Sequence, residues 1–138
     1  MKTSLKLLLF VILAVSPVAQ AQLAITISPP KTTGSKAVVG MTLKNNFAEK
    51  VESARAVAFL LDENGKMIGQ STRWVIGGGK DHPALESKAE TKFNFVISTV
   101  QPLTTTNLTT KVNFTRLVLE GGKVVEANKN VTVTTPAK

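Results

Sequence analysis

Very little in this sequence could do covalent or metal chemistry. A single histidine, His82, stands in a chain with no cysteine and no tyrosine. Cys–His nucleophilic chemistry is therefore closed, and a Ser–His–Asp arrangement would have to use His82. Asp81 adjoins it in a glycine-rich loop, which is poor geometry for a base and the group that orients it. A zinc or copper site needs several His or Cys ligands, more than one histidine can supply. Asp62, Glu63 and Asn64 cluster oxygens that calcium could use, but not at the spacing of an EF-hand loop. Gly77-Gly78-Gly79-Lys80 lacks both the GxxxxGK[ST] spacing and the following helix of a phosphate loop. No catalytic residue, metal site or cofactor is expected, and the chain reads as a non-enzyme.

Recognition is the chemistry left. Arg73-Trp74 ends a strand, and Lys80 and His82 lie in the loop that follows. Trp and Arg are enriched at binding hot spots, and loops on rigid sandwiches often carry recognition. Arg73, Trp74, Lys80 and His82 are thus the candidate binding residues. A structural role competes for one of them: the single Trp of a small β domain is expected in the core.

The stretch Val51–Trp74 must position these residues, and it reads as two strands joined by a tight turn. Val51, Ser53, Arg55, Val57, Phe59 and Leu61 fall on one face of an extended chain; Ala54, Ala56, Ala58 and Leu60 fall on the other. Both faces are apolar near the turn, as in a central strand. Asn64-Gly65 predicts a two-residue turn with both residues at positive φ. Around this hairpin, Leu23–Ser28, Ala37–Lys44, Thr91–Ser98, Thr109–Glu120 and Lys123–Thr134 read as further strands. Gly121-Gly122 links the last two. Lys31–Lys36 reads as a loop, Val100–Thr105 as a connection, and Gly77–Pro83 as the most flexible stretch. In Thr109–Glu120, Val112, Phe114 and Val118 share a face that Arg116 interrupts, with Leu117 and Leu119 opposite. Seven strands without a helical period predict an all-β, immunoglobulin-like antiparallel β-sandwich.

Residues 1–21 carry the marks of a signal peptide: Lys2 and Lys6, the apolar run Leu7–Val15, Pro17, and Ala19-Gln20-Ala21 at the cleavage site. Nine apolar residues fall short of the roughly 20 that span a bilayer, so no transmembrane segment is expected after cleavage. The remaining residues 22–138 suit one domain. Export without cysteine fits a bacterial envelope, periplasmic or secreted, and demands a core that holds without disulfides. After cleavage 15 basic residues face 9 acidic ones, a formal charge of +6. The lysines are scattered and no aromatic residues interleave with them. A solvated basic surface is expected, and no nucleic-acid partner.

Val39-Gly40-Met41-Thr42-Leu43-Lys44-Asn45-Asn46, followed by Val51, Val57, Phe59, Leu61, Asp62, Gly65 and Ile68-Gly69, resembles the FxLYD-type immunoglobulin-like domains of bacterial exported proteins. The resemblance covers about half of residues 22–138, and the family's Tyr is missing because Leu61 runs straight into Asp62. It implies a β-sandwich and brings no catalytic residues. The expected function is an exported, non-enzymatic binding or interaction module whose partner is a protein or envelope component. The alternative is a structural subunit of a pilus or surface layer, assembling by strand addition at a sheet edge with Leu23–Ser28 as the exchanged strand. A carbohydrate-binding module using Trp74 is the third reading. The oligomeric state is left open.

Overall fold

Strict alternation of buried and exposed residues builds the first sheet. The computed structural model describes residues 22–79, 82–104 and 107–135. Residues 1–21, Lys80, Asp81, Thr105, Thr106 and the last three residues lie outside them, among them the expected signal peptide and the end of the Val100–Thr105 connection. Strand β1 (Leu23–Ile27) buries Leu23, Ile25 and Ile27. Strand β3 (Lys36–Asn45) buries Ala37, Val39, Met41, Leu43 and Asn45. They pair antiparallel, Leu23 opposite Asn45 and Ile27 opposite Met41. Pro29 and Pro30 cannot donate to a ladder, yet the chain does not leave the sheet. After a one-residue slip it resumes as β2 (Lys31–Thr33), still along β3. The expected loop over Lys31–Lys36 is therefore partly strand, because β1 and β2 together line one edge of β3. Strand β6 (Glu90–Ser98) lines the other edge.

The second sheet has the order β5-β4-β7-β8, with β4 at Val51–Leu61, β5 at Met67–Ile76, β7 at Thr109–Leu119 and β8 at Lys123–Val125. Ala54, Ala56, Ala58 and Leu60 of β4 face inward and are fully buried. Small side chains here complement large ones in the same core, Phe95, Ile25, Ile27 and Leu43 among them. The chain folds as an immunoglobulin-like β-sandwich.

Among the described residues nine strands replace the expected seven. Besides β2, the last predicted strand is broken: β8 ends at Val125, one helical turn α1 (Ala127–Asn130) follows, and β9 (Val131–Thr134) joins the other sheet. There β9 runs parallel to β1, Leu23 opposite Val131. A strand that changes sheets must turn a corner, and α1 is that corner. β1 is consequently paired on both edges, so Leu23–Ser28 is an inner part of its sheet rather than a spare strand.

Bulges reset the faces of the second sheet. Arg55 lies opposite Arg116 but Ala56 lies opposite Phe114, which leaves Thr115 as an extra residue. The slip puts Leu117 and Leu119 inside with Val112 and Phe114, and Arg116 outside. Arg116 therefore does not interrupt the core face, as strict alternation had it. A second slip leaves Glu52 extra and brings Val51 onto the alanine side.

The β4–β5 turn is longer than the two-residue form. Gly65 N–H donates to Asp62 O at 2.9 Å, and Asp62 N–H donates to Lys66 O at 2.8 Å. Asp62 Oδ1 accepts from the N–H groups of Asn64 and Lys66, each at 2.9 Å. Only Gly65 has positive φ (80°); Asn64 does not. This is a three-residue loop, a type I turn closed by a left-handed residue, in which Asp62 does the work expected of Asn64. A side chain at Gly65 would meet open space, so its cost is backbone strain alone. We expect Gly65→Val to destabilise the domain by roughly 1–3 kcal/mol and to lower Tm by several degrees. Lys66→Ala should stay within about 0.5 kcal/mol. Equal melting temperatures would contradict this turn.

Candidate functional site

Of the four residues singled out by sequence, the three within the described residues do not converge. Arg73 is in register with Ala56, whose side chain faces inward, whereas Trp74 is in register with Arg55, which faces out. Neighbours on a strand point to opposite faces, and these two do. Arg73 is exposed and Trp74 half-buried. His82 turns toward the other sheet: its ring meets Phe93 edge-on at 5.2 Å, and Phe93 meets Phe95 likewise at 5.1 Å. This half-buried imidazole packs edge-on, a geometry aromatic rings prefer, against a ring that itself borders the core. Lys80 lies outside the described residues.

Trp74 is not in the core as expected. Alternation would place it on the side of Ile76, but β5 slips by one residue at Val75: Arg55 opposes Trp74, while Ala54 opposes Ile76. Ile76 and Val75 are buried and the indole stands outside. There the Arg55 guanidinium lies 5.9 Å from the ring centroid, within cation–π reach. Gly78 closes over the ring: a Cβ there would sit 2.6 Å from Trp74 Cγ, and its φ is 81°. The glycine loop is also tied down. Gly77 N–H donates to Pro83 O at 3.4 Å and His82 N–H to Gly79 O at 3.2 Å.

Sequence reading missed a cleft of about 420 Å³ at one end of the sandwich, between the β4–β5 turn and the segment Thr99–Thr104. Its apolar lining includes Met67, Ile68, Val100, Pro102 and Leu103. Val100 is 94 % exposed and Met67 50 %, while Ile68 and Leu103 pack against the core. Main-chain bonds fix the far wall: Thr99 N–H donates to Ser35 O and Leu103 N–H to Gly34 O, both at 2.8 Å. The volume falls within the roughly 300–1,000 Å³ of small-ligand sites. The sequence signal was present in Val100 and Leu103, apolar residues within a polar connection.

Among the described residues no three His, Cys, Asp or Glu side chains gather as metal ligands, and no helix is long and apolar enough to cross a membrane.

No family model matches the chain, and neither does any curated protein. Among solved structures it is similar to a structural-genomics target at 14 % identity, covering 76 % of this chain and 78 % of that one, TM-score 0.47. It is similar to the CARDB domain of a Pyrococcus furiosus protein, solved in complex with di-metal ions, at 18 % identity, covering 83 % and 87 %, TM-score 0.36. A β-glucuronidase of glycoside hydrolase family 2 matches at 16 % identity over 72 % of this chain, TM-score 0.39. The match spans 11 % of that enzyme.

The Gly78–Trp74 contact makes the only Trp its own reporter. We expect Gly78→Ala to push the indole toward solvent and shift its fluorescence to longer wavelength. Gly79→Ala should not, because a Cβ at Gly79 meets open space. Identical spectra for the two variants would contradict the packing described.

Proposed function

We propose that this chain is an exported, non-enzymatic, FxLYD-type binding module of the bacterial cell envelope. The observation that carries this reading is the cleft beside the β4–β5 turn, where Val100 on the hydrogen-bonded wall and Met67 at the start of β5 are both exposed to water. Large apolar side chains kept exposed around a concavity favour an apolar group of a partner. A protein side chain entering between Met67 and Leu103 would gain roughly 25 cal/mol for each Å² of apolar surface it buries. The signal-like residues 1–21 support export.

Assembly by strand addition is a second reading, favoured by one observation. β5 is a ten-residue edge strand, bridged to Thr99 at Gly69, and the rest of such an edge can template another chain. Sedimentation separates the two: a strictly monomeric protein at high concentration counts against assembly.

A photo-crosslinking residue at Val100 tests the leading reading. We expect it to capture one specific partner from envelope extract. The same residue at Val124, also exposed but on β8, should capture none. Equal capture at both positions, or none at Val100, would contradict the proposal.

A further inference from the structure

The outer face of the second sheet carries a concentration of positive charge that no ion pair among the described residues balances. Arg55 and Arg116 are directly opposite each other on β4 and β7, and both are exposed. Opposed residues have Cβ atoms about 4.5–5.5 Å apart, a spacing at which like charges repel. Bulges flank Arg55 on both sides, at Val75 of β5 and at Thr115 of β7. Bulges re-aim side chains, and these two bring Trp74, Arg55 and Arg116 into one outward row. Among the described residues the ion pairs are Lys123–Glu49 and Lys129–Glu126; neither arginine takes part. The next two outward rows are Thr72-Val57-Asn113 and Gln70-Phe59-Lys111. Three rows thus hold three cations and no carboxylate.

We infer that this face binds an acidic polysaccharide, a polymer of uronic-acid type. Paired guanidinium forks suit a carboxylate, which accepts two parallel N–H bonds. Lys111 is in register with Phe59, four residues or about 13 Å along β4 from Arg55. Cations spaced so far apart call for a ligand that repeats its charge. Between them Thr72 and Asn113 offer neutral hydrogen-bonding groups to sugar hydroxyls, and half-buried Val57 and Phe59 offer apolar surface to sugar C–H faces. The arginine row lies about 20 Å from the β4–β5 turn by strand length and the Gln70-Phe59-Lys111 row about 10 Å. None of these residues lines the cleft, so the inference is independent of the cleft reading.

Oligogalacturonate is the probe, titrated into the purified protein by calorimetry at low and physiological salt. We expect saturable binding, weakened at least tenfold by the Arg55→Gln/Arg116→Gln pair. The charge-matched pair Lys31→Gln/Lys36→Gln, exposed on the opposite sheet, should change it less than threefold. Arg116→Gln alone keeps the Arg55–Trp74 contact; it should weaken binding without lowering Tm, since it relieves repulsion. Equal losses for both double variants would overturn the proposal, as would no saturable binding. So would at least tenfold preference for phosphatidylglycerol vesicles or single-stranded DNA. A negative result here beside specific capture at Val100 would leave the cleft reading standing.

Discussion

One buried amide closes the sandwich at the end where the chain passes between sheets. Asn45 is the last residue of β3 and is fully buried. Its Nδ2 lies within 3.0–3.1 Å of the carbonyl oxygens of Glu49, Leu85 and Glu86, and its Oδ1 accepts from Phe47 N–H at 2.8 Å. Its main chain donates to Ala89 O at 2.9 Å and accepts from Lys88 N–H at 2.7 Å. An amide has two donor hydrogens, so the three carbonyls share them. Leu85 in turn exchanges both main-chain bonds with Val51, each at 2.9 Å. One side chain thereby links the end of β3, the turn into β4 and the crossing from β5 to β6. A buried polar group left unpaired costs about 1–3 kcal/mol, against a whole-domain stability of about 5–15 kcal/mol.

From that anchored end the surfaces follow. The crossing segment brings His82 against Phe93 and holds the glycine loop over Trp74. At the opposite end, the β4–β5 turn and the wall through Val100 frame the cleft. In between, the second sheet turns its alanines inward, so the outward side of β4 must carry the larger residues Arg55, Val57, Phe59 and Leu61. Small residues inside and large ones outside make the exposed face of this sheet unusually rich in groups that can recognise something.

Much of the fold was legible because most strands are one-sided. Period-two patterns in β1, β3 and β6 survive in the structure, with Phe95 and Ile97 inside as alternation requires. The failures share a cause: a bulge is created by pairing, and pairing is not written in the local sequence. Alternation alone assigns Arg116 to the wrong face, and the slip at Thr115 moves it. The expectation of a buried Trp74 rests on its being the single Trp of a small β domain, and the slip at Val75 puts it on the face opposite buried Ile76. The role of Asn45 was hidden for a related reason, since two of its three carbonyl partners lie 40 and 41 residues away. Its neighbourhood reads as an ordinary Asn-Asn turn. The break after Val125 was equally silent, because Glu126-Ala127-Asn128-Lys129-Asn130 is too short to show a helical period. Candidate site residues suffered most, as they depended on which face Trp74 occupied.

The most direct test of this account compares one chemical change at two adjacent residues. Asn45→Asp removes the donors that hold three carbonyls and sets a carboxylate against them. Asn46→Asp makes the same change at a partly exposed neighbour whose main chain alone is engaged, through its N–H to Gln22 O and its carbonyl to Lys88 Nζ. Urea unfolding at pH 7 should show Asn45→Asp less stable by at least about 3 kcal/mol, several unsatisfied groups at once. Asn46→Asp should stay within about 0.5 kcal/mol, as surface changes do. Matching losses, or a stable Asn45→Asp domain, would contradict the claim that this amide holds the two sheets together.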